Sequence, residues 1–220
     1  MRDLISIIIP TNGNRMPFLS RAIDSAGAVN FDIEVIVVVN GPYAKEFELP
    51  RCGGHHSVRV VRIAQAGVSN ARNVGLSEAA GKWVRFLDDD DYLVPEVAER
   101  QYELARSSNS DIVTAKVGIV DHGGKLYGTS SEPLSNDIYC ELLSTRLPVV
   151  PLAHVYKSTS IKHICWNARM NLSEDTDWLH RVARDREMSW LHMNKVVGFW
   201  YQHAVTKRLT SSFNNNRGMA

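Results

Sequence analysis

Trp83-Val84-Arg85-Phe86-Leu87-Asp88-Asp89-Asp90-Asp91-Tyr92 is the stretch that decides how this chain folds. Its first half, Trp83 to Leu87, has the aromatic and β-branched content of a buried strand. Four consecutive carboxylates follow at the strand's carboxyl end. Pro95-Glu96-Val97-Ala98-Glu99 then reads as the first turn of a helix, because Pro is pre-set for that position and the helix dipole favours Glu there. Open α/β sheets bind their ligands in such loops, between the carboxyl end of a strand and the next helix. Carboxylates this close repel, so they need solvent or a cation. Hard oxygen ligands suit Mg²⁺ or Mn²⁺, which commonly link one or two carboxylates to substrate phosphates. An isolated acidic run is usually a solvated turn; the strand before it and the helix after it favour a metal site here.

The residues upstream extend the same alternation. Gly67 to Gly81 reads as a helix with Val68, Ala71, Val74 or Gly75, and Ala79 on one face, where small residues allow close approach to a sheet. Gly81 is placed to stop it in a left-handed conformation. Leu4 to Ile9 is a continuous run suited to a strand covered on both faces. It is closed by Pro10 and the turn residues Thr11-Asn12-Gly13-Asn14-Arg15. Pro17 to Ala28 is helical in spacing, Ile33 to Val39 is a second buried strand, and Val58 to Ile63 is a third, interrupted by Arg59 and Arg62. Strands alternating with helices imply right-handed crossovers and a doubly wound, mostly parallel sheet.

Composition sets the outer limits. The chain has 220 residues, 44% hydrophobic and 22% charged, as expected of one soluble globular domain. A net charge of +1 gives no electrostatic case for nucleic acid as the main partner. Cys52, Cys140 and Cys165 are odd in number and widely spaced, fitting neither a disulfide framework nor a zinc site, so a reducing cytoplasm is expected. The apolar run at the N-terminus is short, carries Asp3 and stops at Pro10, unlike a signal peptide. No stretch approaches the roughly 20 apolar residues of a membrane span. Peripheral association with the inner face of a membrane stays open.

Four stretches in fixed order resemble the nucleotide-sugar-binding half of the family 2 glycosyltransferases, inverting enzymes of the GT-A fold. They are Ile7-Ile8-Ile9-Pro10-Thr11, Glu34-Val35-Ile36-Val37-Val38, Gly67-Val68-Ser69-Asn70-Ala71-Arg72-Asn73 and Ala80 to Asp91. The resemblance implies an Asp-x-Asp element at Asp88 and Asp90 holding Mn or Mg against a donor diphosphate. Asp90 would be the metal ligand, and Asp88 would face the ribose or the metal shell. Asp89 would be the middle position and Asp91 a support for the loop. Pro10, Thr11, Asn40, Arg72, Asp88 and Asp89 form the implied donor-binding set. Two stretches depart from the family. Val39-Asn40-Gly41-Pro42 stands where a carboxylate is usual, and Asn40 keeps hydrogen-bonding capacity without the charge. Thr11-Asn12-Gly13-Asn14-Arg15 lacks the aromatic residue that packs on a base. Arg72 can be read as a phosphate ligand or as a partner of the acidic loop; Asn73 is read as a holder of neighbouring backbone.

The second half is expected to face the acceptor. Pro95 to Ser107 reads as a helix, and Asp111 to Ala115 and Lys116 to Asp121 as strand material. A short helix is expected over 136–145, then a strand over Ala153 to Lys157 and a short helix after it. In Asn171-Leu172-Ser173-Glu174-Asp175-Thr176-Asp177-Trp178, Ser173 is a suitable N-cap, and the three acids complement a helix dipole. The same stretch resembles the family's Glu-Asp element, which implies Asp175 as the general base on the acceptor hydroxyl and Glu174 as its neighbour or alternate. Asp177 reads as a helix-surface residue. Lys195 to Tyr201 is a final strand, and His203 after it is a candidate metal ligand.

The chain is therefore read as a single domain over 1–220, with a nucleotide-sugar half over 1–95, an acceptor half over 96–205 and a mobile tail over 206–220. The expected activity is transfer of one sugar from a nucleotide-diphosphate sugar to a glycan or lipid-linked acceptor, in cell-surface glycan synthesis. The rival readings are a sugar nucleotidyltransferase and a nucleotide-sugar-binding protein that has lost catalysis.

Overall fold

A computed structural model describes residues 3–27, 30–42, 44–53, 57–121, 123–135, 137–144, 148–170 and 172–202. The expectations for His203 and for the tail over 206–220 fall outside these residues. The first half alternates as read: β1 (Leu4–Thr11), α1 (Met16–Ser25), β2 (Asp32–Asn40), β3 (Ser57–Ile63), α2 (Val68–Glu78) and β4 (Trp83–Phe86). It continues with β5 (Tyr92–Leu93), α3 (Pro95–Ser108), β6 (Ile112–Val120), β7 (Leu126–Thr129) and α4 (Ile138–Leu143). The last elements are β8 (His154–Lys157), α5 (Ser158–Ile161), α6 (Glu174–Asp185) and β9 (Trp190–Tyr201).

The strands form one curled sheet in the order β3-β2-β1-β4-β8-β6-β9-β5, with β7 beside β6. β1 pairs in parallel with β2 on one side and β4 on the other. The chain therefore winds outward in one direction from β1 and returns across it to β4. That reversal opens a crevice at the carboxyl ends of β1 and β4, where the acidic run lies. Alternating side chains divide β1 between two apolar layers. Ile5, Ile7 and Ile9 pack with Leu19 and Ile23 of α1 and Tyr102 of α3. Ile8 packs with Ala71 and Leu76 of α2 and with Trp178 and Val182 of α6. Each of these isoleucines is fully buried, which stabilises by roughly 1.5–3 kcal/mol apiece and keeps the strand carrying Thr11 rigid.

Parallel pairing holds across the first four strands and again between β6 and β9. The second half is mixed: β8 is antiparallel to both β4 and β6, and β5 and β7 are antiparallel additions. The material read as two strands around Ala115 and Lys116 is one strand, with register shifts against β9 at that point.

Two local expectations are corrected. α2 ends at Glu78 with Ala79 extended, so Gly81 does not stop it. A Cβ on Gly81 would lie 2.6 Å from Ser6 N; the residue is small because the backbone of β1 passes against it. Ser173 does precede α6, but at φ 58° and without a side-chain capping bond. Its carbonyl instead accepts the Asp177 N–H at 3.0 Å. A charge that sequence reading passed over is Arg85, fully buried in β4. It donates to Leu152 O at 2.9 Å, while Gln101 donates to Ala153 O at 3.0 Å. The two satisfy a 3-10 turn (Pro151–Ala153) whose carbonyls would otherwise be orphaned in the core. Among the described residues no helix is long and apolar enough to cross a membrane.

Candidate active site

Four elements converge at the crevice: the end of β1, the first half of α2, the loop after β4 and the first turn of α6. Their side chains join residues more than a hundred positions apart.

Arg72 is the centre of the arrangement. It lies on the buried face of α2, with a side chain only 1% exposed. Its Nη2 donates to Asp88 Oδ1 at 2.7 Å, and its Nη1 to Asp175 Oδ1 at 2.6 Å, with Glu174 Oε1 at 3.4 Å. The guanidinium stacks on Trp166 with 4.3 Å to the ring centre. Trp166 stacks in turn on Trp178 of α6 at 4.4 Å, with ring planes 3° apart. Asn73 fixes the backbone beneath: its Nδ2 donates to Trp166 O at 2.9 Å, and its Oδ1 accepts Trp166 N–H at 2.7 Å. Arg72 makes the ion pair with the acidic loop that was one of its two readings, and Asn73 holds backbone as expected. Burial opposes the charge on Arg72, but Asp88, Asp175 and Glu174 outweigh it and raise its pKa.

The acidic loop has a second cation on its other flank. Arg15, in the turn between β1 and α1, pairs through Nη1 with Asp90 Oδ2 and lies 3.4 Å from Asp89 Oδ1. Thr11 Oγ1 donates to Asp89 Oδ2 at 2.6 Å. Arg21 donates from Nη2 to Asp90 O at 2.7 Å, with its guanidinium 4.2 Å from the centre of the Tyr92 ring. Asp91 is buried and accepts Tyr201 N–H at 2.9 Å, tying the loop to the end of β9. Arg15 and Arg72 thus offset part of the mutual repulsion among these carboxylates. Neither Arg15 nor Arg21 was singled out from sequence; their partners are about 70 positions away, and no local spacing marks them.

Burial sets the proton affinities. It pushes Asp89 up to about 6, against the opposing Thr11 hydrogen bond. It also raises Asp91, helped by the charges of Asp90 and Asp88. Asp175 is raised to about 7, first by burial, with Asp88 and Glu174 adding to the rise and Arg72 opposing it. The helix N-terminus does not hold Asp175 in the ordinary carboxylate range, and a carboxyl titrating near 7 is suited to accept a proton. Asp177 pairs with Arg181 on the surface of α6 at 2.7 Å.

The remaining candidates lie at the carboxyl ends of β1 and β2. Pro10 is buried within β1. Asn40 Nδ2 donates to Thr11 O at 2.8 Å, and its Oδ1 accepts Gly67 N–H at 2.9 Å. It bridges the end of β1 to the loop before α2. Among the described residues no three His, Cys, Asp or Glu side chains are grouped to hold a metal ion. Asp88 and Asp90 nevertheless offer partly exposed carboxylates. Two such oxygens match the donor set of a hard divalent ion that takes its other ligands from phosphate and water. A recess of about 500 Å³, lined by His163, Cys165, Arg181 and Arg184, shares no residue with this cluster.

The family model described as Glycosyl transferase family 2 matches residues 6–172. The uncharacterized glycosyltransferase EpsJ of Bacillus subtilis is 35% identical over 116 residues, covering 51% of this chain and 33% of that protein. An uncharacterized glycosyltransferase of Haemophilus influenzae is 24% identical over 220 residues, covering 97% of this chain and 74% of its own length. Among solved structures, S. aureus TarS 1-349 superposes with a TM-score of 0.66 at 19% identity, over 91% of this chain and 60% of that one. Its complexes with UDP and with UDP-GlcNAc superpose at 0.65 and 0.64. The chain thus spans a third of EpsJ and about three fifths of that TarS fragment.

Proposed function

The chain belongs to glycosyl transferase family 2, and from that premise we propose that it moves one sugar, with inversion, from a nucleotide-diphosphate sugar to an acceptor hydroxyl. The observation that carries the reading is the single guanidinium of Arg72 shared by Asp88 and Asp175. It brings the acidic loop and a carboxyl titrating near 7 to either side of one guanidinium, so that a donor held at the loop can be attacked by a hydroxyl held at Asp175. Asp175 takes the proton of the attacking hydroxyl, with Glu174 beside it. Thr11 and Asn40 shape the end of β1 where the base and ribose would lie.

Asp90 and Asp88 are the residues that would hold Mn or Mg. The ion, when bound, offsets the charge of the departing diphosphate. UDP is the first donor nucleotide to try, because the TarS fold has been solved with it. A glycan or lipid-linked sugar is the proposed acceptor, met in the cytoplasm or at the inner face of a membrane.

The reading is tested with purified chain, a panel of nucleotide sugars and Mn²⁺. Nucleoside diphosphate should be released slowly even without acceptor. Asp175→Asn should stop release while keeping nucleotide binding, and Asp90→Ala should lose metal-dependent stabilisation by the nucleotide. NMR of the anomeric proton of any transferred sugar should show inversion. Retained configuration, or unchanged turnover in Asp175→Asn, would sink the assignment.

A further inference from the structure

Arg15 makes a contact that the mechanism above does not use. Its side chain is 39% exposed and sits in a turn. Among the described residues its guanidinium pairs only with Asp89 and Asp90. Arg72 grips the same loop from the buried side, fixed by three carboxylates and the Trp166 ring. One cation is locked in place, and the other is held by partly solvated ion pairs worth at most about fivefold in an equilibrium constant. The more exposed one is paired with the carboxylate read as the metal ligand.

We propose that Arg15 is an exchangeable counter-ion, holding Asp90 until a divalent cation takes that carboxylate and then turning its guanidinium to the donor diphosphate. The inference rests on the glycosyltransferase reading and deepens it. A guanidinium and a divalent ion on one carboxylate repel each other, so arrival of the ion weakens the Arg15 pair. The released fork of N–H donors matches phosphate oxygens better than any other group brought by the donor. Cation and nucleotide binding are thereby linked through one side chain, and linkage of this kind is reciprocal.

Titration calorimetry with Mn²⁺ alone, nucleoside diphosphate alone and nucleoside diphosphate at saturating Mn²⁺ separates this from a fixed phosphate ligand. The tightest of UDP, GDP, CDP and dTDP serves as the probe. Arg15→Gln should bind Mn²⁺ alone about fivefold more tightly. It should bind the nucleotide without Mn²⁺ within about twofold of the parent, and with Mn²⁺ about tenfold more weakly. Arg15→Lys, which keeps the charge, should recover part of the lost coupling. Equal weakening with and without Mn²⁺, or unchanged Mn²⁺ affinity in Arg15→Gln, overturns the exchange. A parent that binds none of the nucleotides defeats the glycosyltransferase reading itself. A parent with Mn²⁺-dependent binding and a variant with undiminished coupling defeats only the role of Arg15.

Discussion

The two flanks of the acidic loop hold the same kind of charge by different means. On the α2 side, Arg72 is sealed under Trp166 and bonded to Asp88 and Asp175. On the α1 side, Arg15 reaches Asp89 and Asp90 from a half-buried turn. An ion pair removed from water cannot lose one member without stranding the other, whereas a solvated pair can. The buried flank therefore sets the shape of the crevice, and the flank with the more exposed guanidinium is the one proposed to change partners.

The largest test of that contrast falls on Asp175. Asp175→Asn should lower turnover by about a thousandfold, as removal of a general base does, with nucleotide affinity nearly unchanged. Because burial raises the Asp175 carboxyl to about 7, the parent's rate should climb as pH rises through 7 and level off above it. A profile already flat from pH 5 upward would show that the Arg72 pair, and not burial, governs this group.

Arg72→Ala comes next. It leaves Asp88, Asp175 and Glu174 without their shared cation and opens space against Trp166, so denaturant unfolding should show a loss of about 3 to 5 kcal/mol. Arg72→Lys, lacking the fork that serves two carboxylates at once, should recover only part of it. A loss under 1 kcal/mol would put the two flanks on the same footing.

Asp111, just before β6 and in none of the contacts of the acidic loop, is another arginine-paired acid, with the opposite shift. Burial opposes its charge, but Ser160, Ser189 and Arg186 outweigh that and hold it at about 2. Its folded pKa lies below the unfolded value near 4, so its contribution is present above that value and lost as pH falls through 2. Between pH 4 and 2 the parent should lose about 1 to 2 kcal/mol that Asp111→Asn does not lose, measured by unfolding across that range. The smallest effect belongs to Arg15→Gln, which should change stability in the absence of ligand by no more than about 1 kcal/mol.

Much of this was legible along the chain. The β-branched runs of β1 and β2, the small-residue face of α2 and the acidic end of β4 are local patterns, and local patterns decide helix or strand. Arg72 and Asn73 stood out because they open a helix at the sheet's carboxyl edge. Gly81 was misread because its reason is the backbone of β1 against it, 75 positions earlier. The mixed second half was hidden too, since β8 inserts between β4 and β6 by an antiparallel pairing that its four residues do not announce.

From its residues alone the chain declared a doubly wound sheet with carboxylates at a strand end, because hydrophobic period and turn chemistry act over a few neighbours. Which cation each carboxylate meets, and that Asp175 titrates near 7 despite standing at a helix N-terminus, was decided only on folding. Charge pairing and desolvation depend on distance and burial in space, and those are properties of residues that the sequence keeps a hundred positions apart.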